Sequence, residues 1–293
     1  MILVSGGSGF IGRRLVARLV ESGQPVRVLA RGERQAELPA GVETASGNVV
    51  TGEGLPEAAA GVEGVVHLVA IIREVRGQTF DGVIRQGTER VVEAARAAGV
   101  RKLVYVSAIG ARDDPTYPYL VAKWRAEQAA LNSGLNYTIL RPSIIFGEGD
   151  EFINALAGLA RRPIVPIAGD GRSKFQPLWV EDLVSCVVAC LNDGTHDREI
   201  VAVGGPEQFT YEELVDAVMR ELGVWRPKMH VPLAIMKPMA RLMGWVLPRP
   251  PVTVEQLKML ALDNVTEPDA VPKSFGFPPR RLADGIGYIS ARG

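Results

Sequence analysis

Glycines stand at positions 6, 9 and 12 of the run Val4-Ser5-Gly6-Gly7-Ser8-Gly9-Phe10-Ile11-Gly12, directly behind an apolar stretch (2–4) and directly ahead of an amphipathic one (11–19). Few features restrict a fold so strongly. A strand that turns on glycines into a helix gathers backbone N–H groups and the positive end of the helix dipole at one point, and that is a place for phosphate. The last glycine lets the helix pack closely on its strand. Gly6, Gly7, Ser8, Gly9, Phe10, Ile11 and Gly12 are therefore the candidate cradle for the pyrophosphate of a dinucleotide.

The first half keeps the rhythm such a motif demands. Apolar runs at 26–29, 65–70, 103–106 and 137–140 alternate with helix-period segments at 83–98 and 119–131, the pattern of parallel strands crossed by helices. Val, Ile and Leu fill both faces of these strands, as in sheets covered on both sides. The fold class predicted is α/β, a doubly wound parallel sheet of the Rossmann type, with a smaller, mostly helical C-terminal lobe. After Pro142, glycines and prolines at 147, 149, 163, 166, 169, 171 and 177 break the rhythm. Helices are expected at 152–160, 180–191 and 211–222, the last entered through Thr210 with Glu212 and Glu213 in its first turn, and a strand at 199–203. The expected division is a dinucleotide domain over 1–145, completed by elements within 178–204, and a substrate or partner lobe over 146–293.

Lys plus Arg and Asp plus Glu each number 33, so no net field draws nucleic acid to the chain. With His67, His196 and His230 as the only histidines and no metal-ligand spacing, no metal site is expected. Cys186 and Cys190, four apart in an apolar helical stretch, read as small core residues, which fits a reducing, cytoplasmic setting. Met1 runs straight into a strand and leaves no room for a signal peptide. Lys237, Pro238 and Arg241 interrupt the apolar segment 231–247, so it is too short to span a bilayer. It reads either as a helix packed on the C-terminal lobe or as an amphipathic helix for a protein partner or the inner face of a membrane.

The strand at 26–29 delivers Ala30 and Arg31 to the place where an NAD site usually sets a carboxylate on the ribose 2′-hydroxyl. Arg31, with Arg34, suits a 2′-phosphate instead, and charge favours NADP over NAD unless Glu33 turns back to the ribose. Asn48 and Val49, after the next short strand, are placed toward the adenine, although an asparagine beside Gly47 serves a turn equally well. Tyr119 and Lys123 share one helix face. A lysine ammonium stabilises a phenolate and brings tyrosine, which ordinarily titrates near pH ~10, toward general acid–base work. Ser107 ends the strand 103–106 at the sheet's carboxyl edge, where its hydroxyl can bind a substrate oxygen.

Glycine loop, serine at a later strand end and tyrosine–lysine pair on the following helix occur in an order that resembles the short-chain dehydrogenase/reductase superfamily, in particular its extended, epimerase/dehydratase-like branch. His67-Leu68-Val69-Ala70, Gly87-Thr88 and Arg141-Pro142-Ser143-Ile144-Ile145-Phe146-Gly147 fall in the same order, and the resemblance covers residues 1–191. It implies that Ser107 orients substrate, Tyr119 is the acid/base and Lys123 also holds the nicotinamide ribose. It further implies that Val69 and Ala70 border the cofactor and that Pro142, Ser143, Ile144 and Ile145 line the nicotinamide. Ile84 stands where many members carry an asparagine that completes a proton relay. The stretch from Gly169 to Asp182 and the tail 257–264 are similar to the dehydrogenase-like accessory subunit of respiratory complex I, a subgroup that implies NADPH held for structural reasons. Two readings follow: an NAD(P)-dependent oxidoreductase or epimerase acting on a small molecule, and a non-catalytic NADP(H)-binding protein with partner contacts through its C-terminal lobe. The complete Ser107/Tyr119/Lys123 set favours the first; Ile84 and the tail favour the second.

Overall fold

The computed structural model describes residues 1–30, 38–75, 77–192, 194, 196–246 and 252–290. In chain order the elements are β1 Ile2–Ser5, α1 Phe10–Glu21, β2 Val26–Ala30, β3 Glu43–Ser46, α2 Leu55–Ala59, β4 Gly64–His67, a π-helical turn Asp81–Gln86 that runs into α3 Gly87–Ala97, β5 Lys102–Val106, α4 Pro118–Leu131 and β6 Asn136–Pro142. There follow β7 Ile145–Phe146, α5 Phe152–Ala160, β8 Val165–Ala168, β9 Lys174–Phe175, β10 Leu178–Trp179, α6 Val180–Asn192, β11 Glu199–Val203, β12 Phe209–Thr210, α7 Tyr211–Glu221, β13 Lys228–Val231, α8 Leu233–Val246, α9 Val254–Met259, α10 Ala270–Phe275 and α11 Leu282–Gly285. These elements form two compact units, Met1–Pro142 with Leu183–Ala202, and Ser143–Asp182 with Val203–Gly293.

The first unit is built on a seven-stranded sheet in the order β11-β6-β5-β4-β1-β2-β3. Every pair from β6 across to β3 is parallel. The order reverses between β1 and β4, so the carboxyl ends of these two strands diverge and leave a crevice, the usual ligand position in such sheets. All residues of β1, β4 and β5 are buried, because both faces are covered. On one face Leu3, Val65, Leu103 and Ile139 pack with Ile84, Val91, Ala95, Ala122 and Ala126. The rotation of α1 buries Leu15, Val16 and Leu19, and α6 buries Cys186 and Cys190. The doubly wound Rossmann fold is thus the observed one.

Boundaries differ where polar chemistry intrudes. The strand expected over 65–70 ends at His67, and the helix expected from residue 83 opens with the π turn, whose Ile84 O accepts from Thr88 Oγ1 of α3 at 2.5 Å. A hydroxyl that takes a helical carbonyl distorts the turn around it.

The second unit is mostly helical. Helices α5 and α7 pack on each other around Ile153, Leu156, Leu214, Val215 and Val218. Helix α7 starts as expected at Tyr211, held by a capping box in which Thr210 Oγ1 accepts from Glu213 N and the Glu213 carboxylate accepts from Thr210 N. Three two-stranded sheets, β7 with β10, β8 with β13 and β9 with β12, tie the loops together. Among the described residues no helix is long and apolar enough to cross a membrane.

Candidate functional site

The glycine loop is shaped by close approach rather than by flexibility alone. Gly6 has φ +84°, and a Cβ there would lie 3.2 Å from the backbone of Leu68 and Val69. A Cβ on Gly12 would lie 2.1 Å from Gly6 O, and one on Gly7 2.8 Å from Val28 Cγ1. Only glycine fits. Gly9 N donates to Gly6 O at 3.0 Å, which closes the turn. Helix α1 then begins with Gly9 as its cap, with no side-chain cap and no carboxylate in the first turn. Its leading amides are aimed at the loop without a competing side-chain acceptor, the arrangement an anionic pyrophosphate requires. The residues present therefore fit a dinucleotide.

At the end of β5 lies the second group of polar residues. Ser107 N donates to Leu140 O at 2.7 Å and Ile109 N to Pro142 O at 3.0 Å, so the chain after β5 keeps following β6. That holds Ser107 at the sheet edge, buried. Its Oγ has no hydrogen-bond partner among the described residues. Lys123, 3% exposed, donates from Nζ to Val106 O at 2.8 Å, next to Ser107. Tyr119 lies one turn earlier in α4, half-buried, its ring edge-on to Phe80 at 5.6 Å between centroids. Local electrostatics differ from the sequence expectation. Burial pushes the Tyr119 phenol up to about 12 and brings the Lys123 ammonium down to about 7, with Glu127 opposing the latter shift. The lysine is spent on the Val106 carbonyl, so desolvation outweighs its attraction for a phenolate.

Beneath these residues runs a polar chain that sequence reasoning missed. His67 is fully buried, its Nδ1 2.6 Å from Ser5 Oγ and its Nε2 3.1 Å from Thr88 Oγ1. Since Thr88 gives its proton to Ile84 O, it accepts from Nε2–H, and Nδ1 accepts from Ser5; both ring nitrogens are satisfied in the neutral form. Burial, with a push from Lys123, brings the His67 pKa down to about 3. Its ring stacks on Tyr105 at 5.7 Å, and the Lys123 ammonium sits 5.2 Å over that phenol ring. The Tyr105 hydroxyl is buried beside Thr88 and Ser107 without a well-formed hydrogen bond to either; desolvation drives its pKa well up, and those two neighbours oppose the shift. A strand-ending histidine between apolar residues was the one available signal.

The remaining expected residues are dispersed. Ala30 is buried at the end of β2, while Arg31, Glu33 and Arg34 lie outside the described residues. Asn48 Oδ1 accepts from Val50 N at 2.9 Å in an Asx turn, and Val49 is buried against Gly87. Val69 is half-buried and Ala70 exposed in the loop after β4. Pro142 closes β6 in the first unit. Ser143, Ile144 and Ile145 belong to the second, where Ser143 Oγ donates to Asn264 O at 2.7 Å and so ties down the tail. Ile84 is wholly buried, with no side-chain donor to offer a relay. In the second unit Gly169, Asp170, Arg172, His230, Leu233 and Leu260 are among the residues lining a cavity of about 680 Å³.

The parallel sheet, its crevice and the uncapped glycine-turned helix define a nicotinamide-dinucleotide-binding Rossmann protein. Comparison with known proteins agrees: the NAD(P)H-binding family matches residues 6–155. The chain belongs to that family, and its similarity to the complex I accessory subunit extends over most of its length. It is 28% identical over 272 residues to subunit 9 of the NADH dehydrogenase [ubiquinone] 1 alpha subcomplex of Arabidopsis thaliana, covering 89% of this chain and 68% of that one. It is also 28% identical to an NAD(P)H azoreductase of Xenophilus azovorans, over 97% of this chain and 96% of the other. A UDP-glucose 4-epimerase of Thermotoga maritima superposes with a TM-score of 0.74 at 22% identity over 99% of this chain and 97% of that structure, a likeness of fold.

Proposed function

We propose that the protein is an NADP(H)-dependent reductase that protonates a substrate carbonyl from Tyr119. The observation that carries this reading is the buried, unpartnered Ser107 hydroxyl at the sheet edge, beside the carbonyl that anchors Lys123. An unsatisfied buried hydroxyl costs about 1–3 kcal/mol, and a ligand oxygen would remove that cost. Gly6 to Gly12 hold the pyrophosphate, and Ala30, Asn48, Val49, Val69, Ala70 and Pro142 border the rest of the dinucleotide. Lys123 also serves the nicotinamide ribose. When bound, a reduced nicotinamide supplies hydride. Ser107 donates a hydrogen bond to the substrate oxygen, and Tyr119, protonated at neutral pH like any phenol and kept so by burial, gives that oxygen its proton as it acquires negative charge. Near-complete coverage of an NAD(P)H azoreductase supports a reductase.

Tyr119→Phe tests the assignment. Turnover of NADPH against a panel of aldehydes, ketones and quinones is expected to vanish while NADPH affinity, read by fluorescence, changes less than about twofold. Undiminished turnover would refute the role of the phenol. Preference for NADP rests on the charge of Arg31: Arg31→Asp is expected to shift the NADP/NAD affinity ratio roughly tenfold toward NAD, the worth of one charge-assisted bond.

A second reading has its own support. Ile84 offers no relay side chain, and Ser143 and Asn264 bind the complex I-like tail to the motif expected to line the nicotinamide. Both suit a protein that holds NADP(H) as a structural or sensing ligand in a cytoplasmic or peripheral membrane assembly. Tight NADPH binding without turnover on any panel member selects it.

A further inference from the structure

The chain carries as many cations as carboxylates overall, but they are not evenly spread. Between Glu221 and Glu255 there is no aspartate or glutamate, while Arg226, Lys228, Lys237, Arg241 and Arg249 all fall there. Lys228 is neutralised from α7, by Glu212 at 2.7 Å and Asp216 at 2.9 Å. Arg226, Lys237 and Arg241 have no carboxylate in their own segment to offset them. This stretch forms β13 and α8.

Helix α8 has its amphipathicity reversed. It packs against α9 and buries Ala240, yet the residues turned outward are apolar: Ile235 is 54% and Met239 56% exposed, one turn apart, with Pro238 exposed between them. Arg241, also exposed, borders this apolar arc. A helix on a water-facing surface normally shows the opposite pattern. The segment before it also exposes apolar side chains. Met229 of β13 is 52% exposed and Trp225, just before β13, 78%. The pairing of Val165 with Lys228 sets Ile164, 49% exposed, at the same end of the two-stranded sheet. Five of the eight large hydrophobics exposed among the described residues thus come from β13, the residues flanking it, α8 and the start of its partner strand β8.

We propose that the β13–α8 face of the second unit docks on an anionic lipid bilayer, with Ile235, Met239, Met229 and Trp225 entering the headgroup boundary and Arg226, Lys237 and Arg241 reaching lipid phosphates. Glu212 and Asp216 of α7 are taken up by Lys228 and His230, and the segment itself adds only basic charge between its apolar side chains, which is complementary to such a surface, where burial and charge attraction add. Tryptophan favours the same boundary, since its ring is apolar and its N–H needs a polar partner. The inference does not depend on catalysis or on the bound dinucleotide.

Co-sedimentation of the full chain with vesicles tests it. Vesicles of phosphatidylcholine with 30 mol% phosphatidylglycerol are expected to pellet the protein (roughly the anionic content at which such surfaces attract basic segments), and pure phosphatidylcholine vesicles are not. Arg226→Gln and Arg241→Gln are each expected to weaken partitioning about fivefold. Ile235→Ser with Met239→Ser, at exposed positions where the circular-dichroism melt is expected to stay unchanged, is expected to weaken it roughly tenfold or more. Equal pelleting with both vesicle types, or with neither, overturns the proposal. So does sedimentation velocity that shows a concentration-dependent dimer abolished by the double serine variant, which would make the face a contact between copies of the chain.

Discussion

Lys123 provides the sharpest test of how burial shapes this site. Its ammonium is 3% exposed and its pKa falls from 10.5 to about 7, chiefly through desolvation. Between those two values an unfolded chain keeps the proton that the native state has released. Stability therefore rises with pH across the window: the contribution is complete above about 10.5 and is lost as pH falls through about 7, where the buried amine must carry charge. One proton is worth about 1.4 kcal/mol per pH unit. Allowing for half-titration at pH 7, the gain from pH 7 to pH 9 is about 2 kcal/mol. Lys123→Met removes the titrating group and keeps most of the volume. Urea unfolding of both proteins without dinucleotide, at pH 6, 7, 8 and 9, is expected to show the wild type gaining about 2 kcal/mol on the variant from pH 7 to 9. Between pH 6 and 7 the difference should change by only about 0.4 kcal/mol. A difference independent of pH across the whole range would mean that Lys123 stays charged in the native protein, and the account of a desolvated amine hydrogen-bonded to Val106 would fail.

Gly12→Ala forces a Cβ to within 2.1 Å of Gly6 O, so it is expected to cost about 1–3 kcal/mol in thermal unfolding and to abolish NADPH fluorescence enhancement; retained binding would show that the loop does not need its present shape. His67→Leu leaves the Ser5 and Thr88 hydroxyls without their imidazole partner. It is expected to lower stability by about 1–2 kcal/mol, and an unchanged melting temperature would show that the buried chain from Ser5 to Thr88 contributes nothing.

The sheet was legible because its strands carry their burial in their composition: β1, β4 and β5 are apolar along their whole length or nearly so, and nothing else accommodates such runs between helices. β3 could be expected only as a short strand before Asn48, without bounds, since Glu43, Thr44 and Ser46 are exposed on an edge strand and its pairing with β2 is what defines it. The glycine loop could be read from its spacing because Gly9 and Gly12 close on Gly6 O within the turn itself, whereas the approach of Gly6 to Leu68 and Val69 and of Gly7 to Val28 is tertiary. Ser107, Tyr119 and Lys123 could be found by order and spacing. Their protonation could not, since it follows from how deeply α4 buries Lys123 against β5, a tertiary fact. The same holds for His67: its partners Ser5 and Thr88 are 62 and 21 residues away, and no periodicity links them. Arg31 remains a sequence argument about charge. In the second unit the paired short strands, two to four residues each, are too brief to announce themselves, whereas α7 was visible through its cap.

The chain does not complete its sheet in one pass. Strand β11, Glu199–Val203, lies beside β6, yet residues 143–182 of the other unit are made between them. During synthesis a chain that has emerged only as far as residue 190 displays β6 as a bare edge, with Thr138, Ile139 and Leu140 among its otherwise buried residues. Such an edge is a template for pairing with a neighbouring nascent chain. At the ordinary elongation rate of about 5–20 residues per second the exposure lasts several seconds. Truncation before β11 should therefore yield aggregate rather than a smaller soluble domain, and polysomes crowded with this message have reason to need a chaperone at that edge.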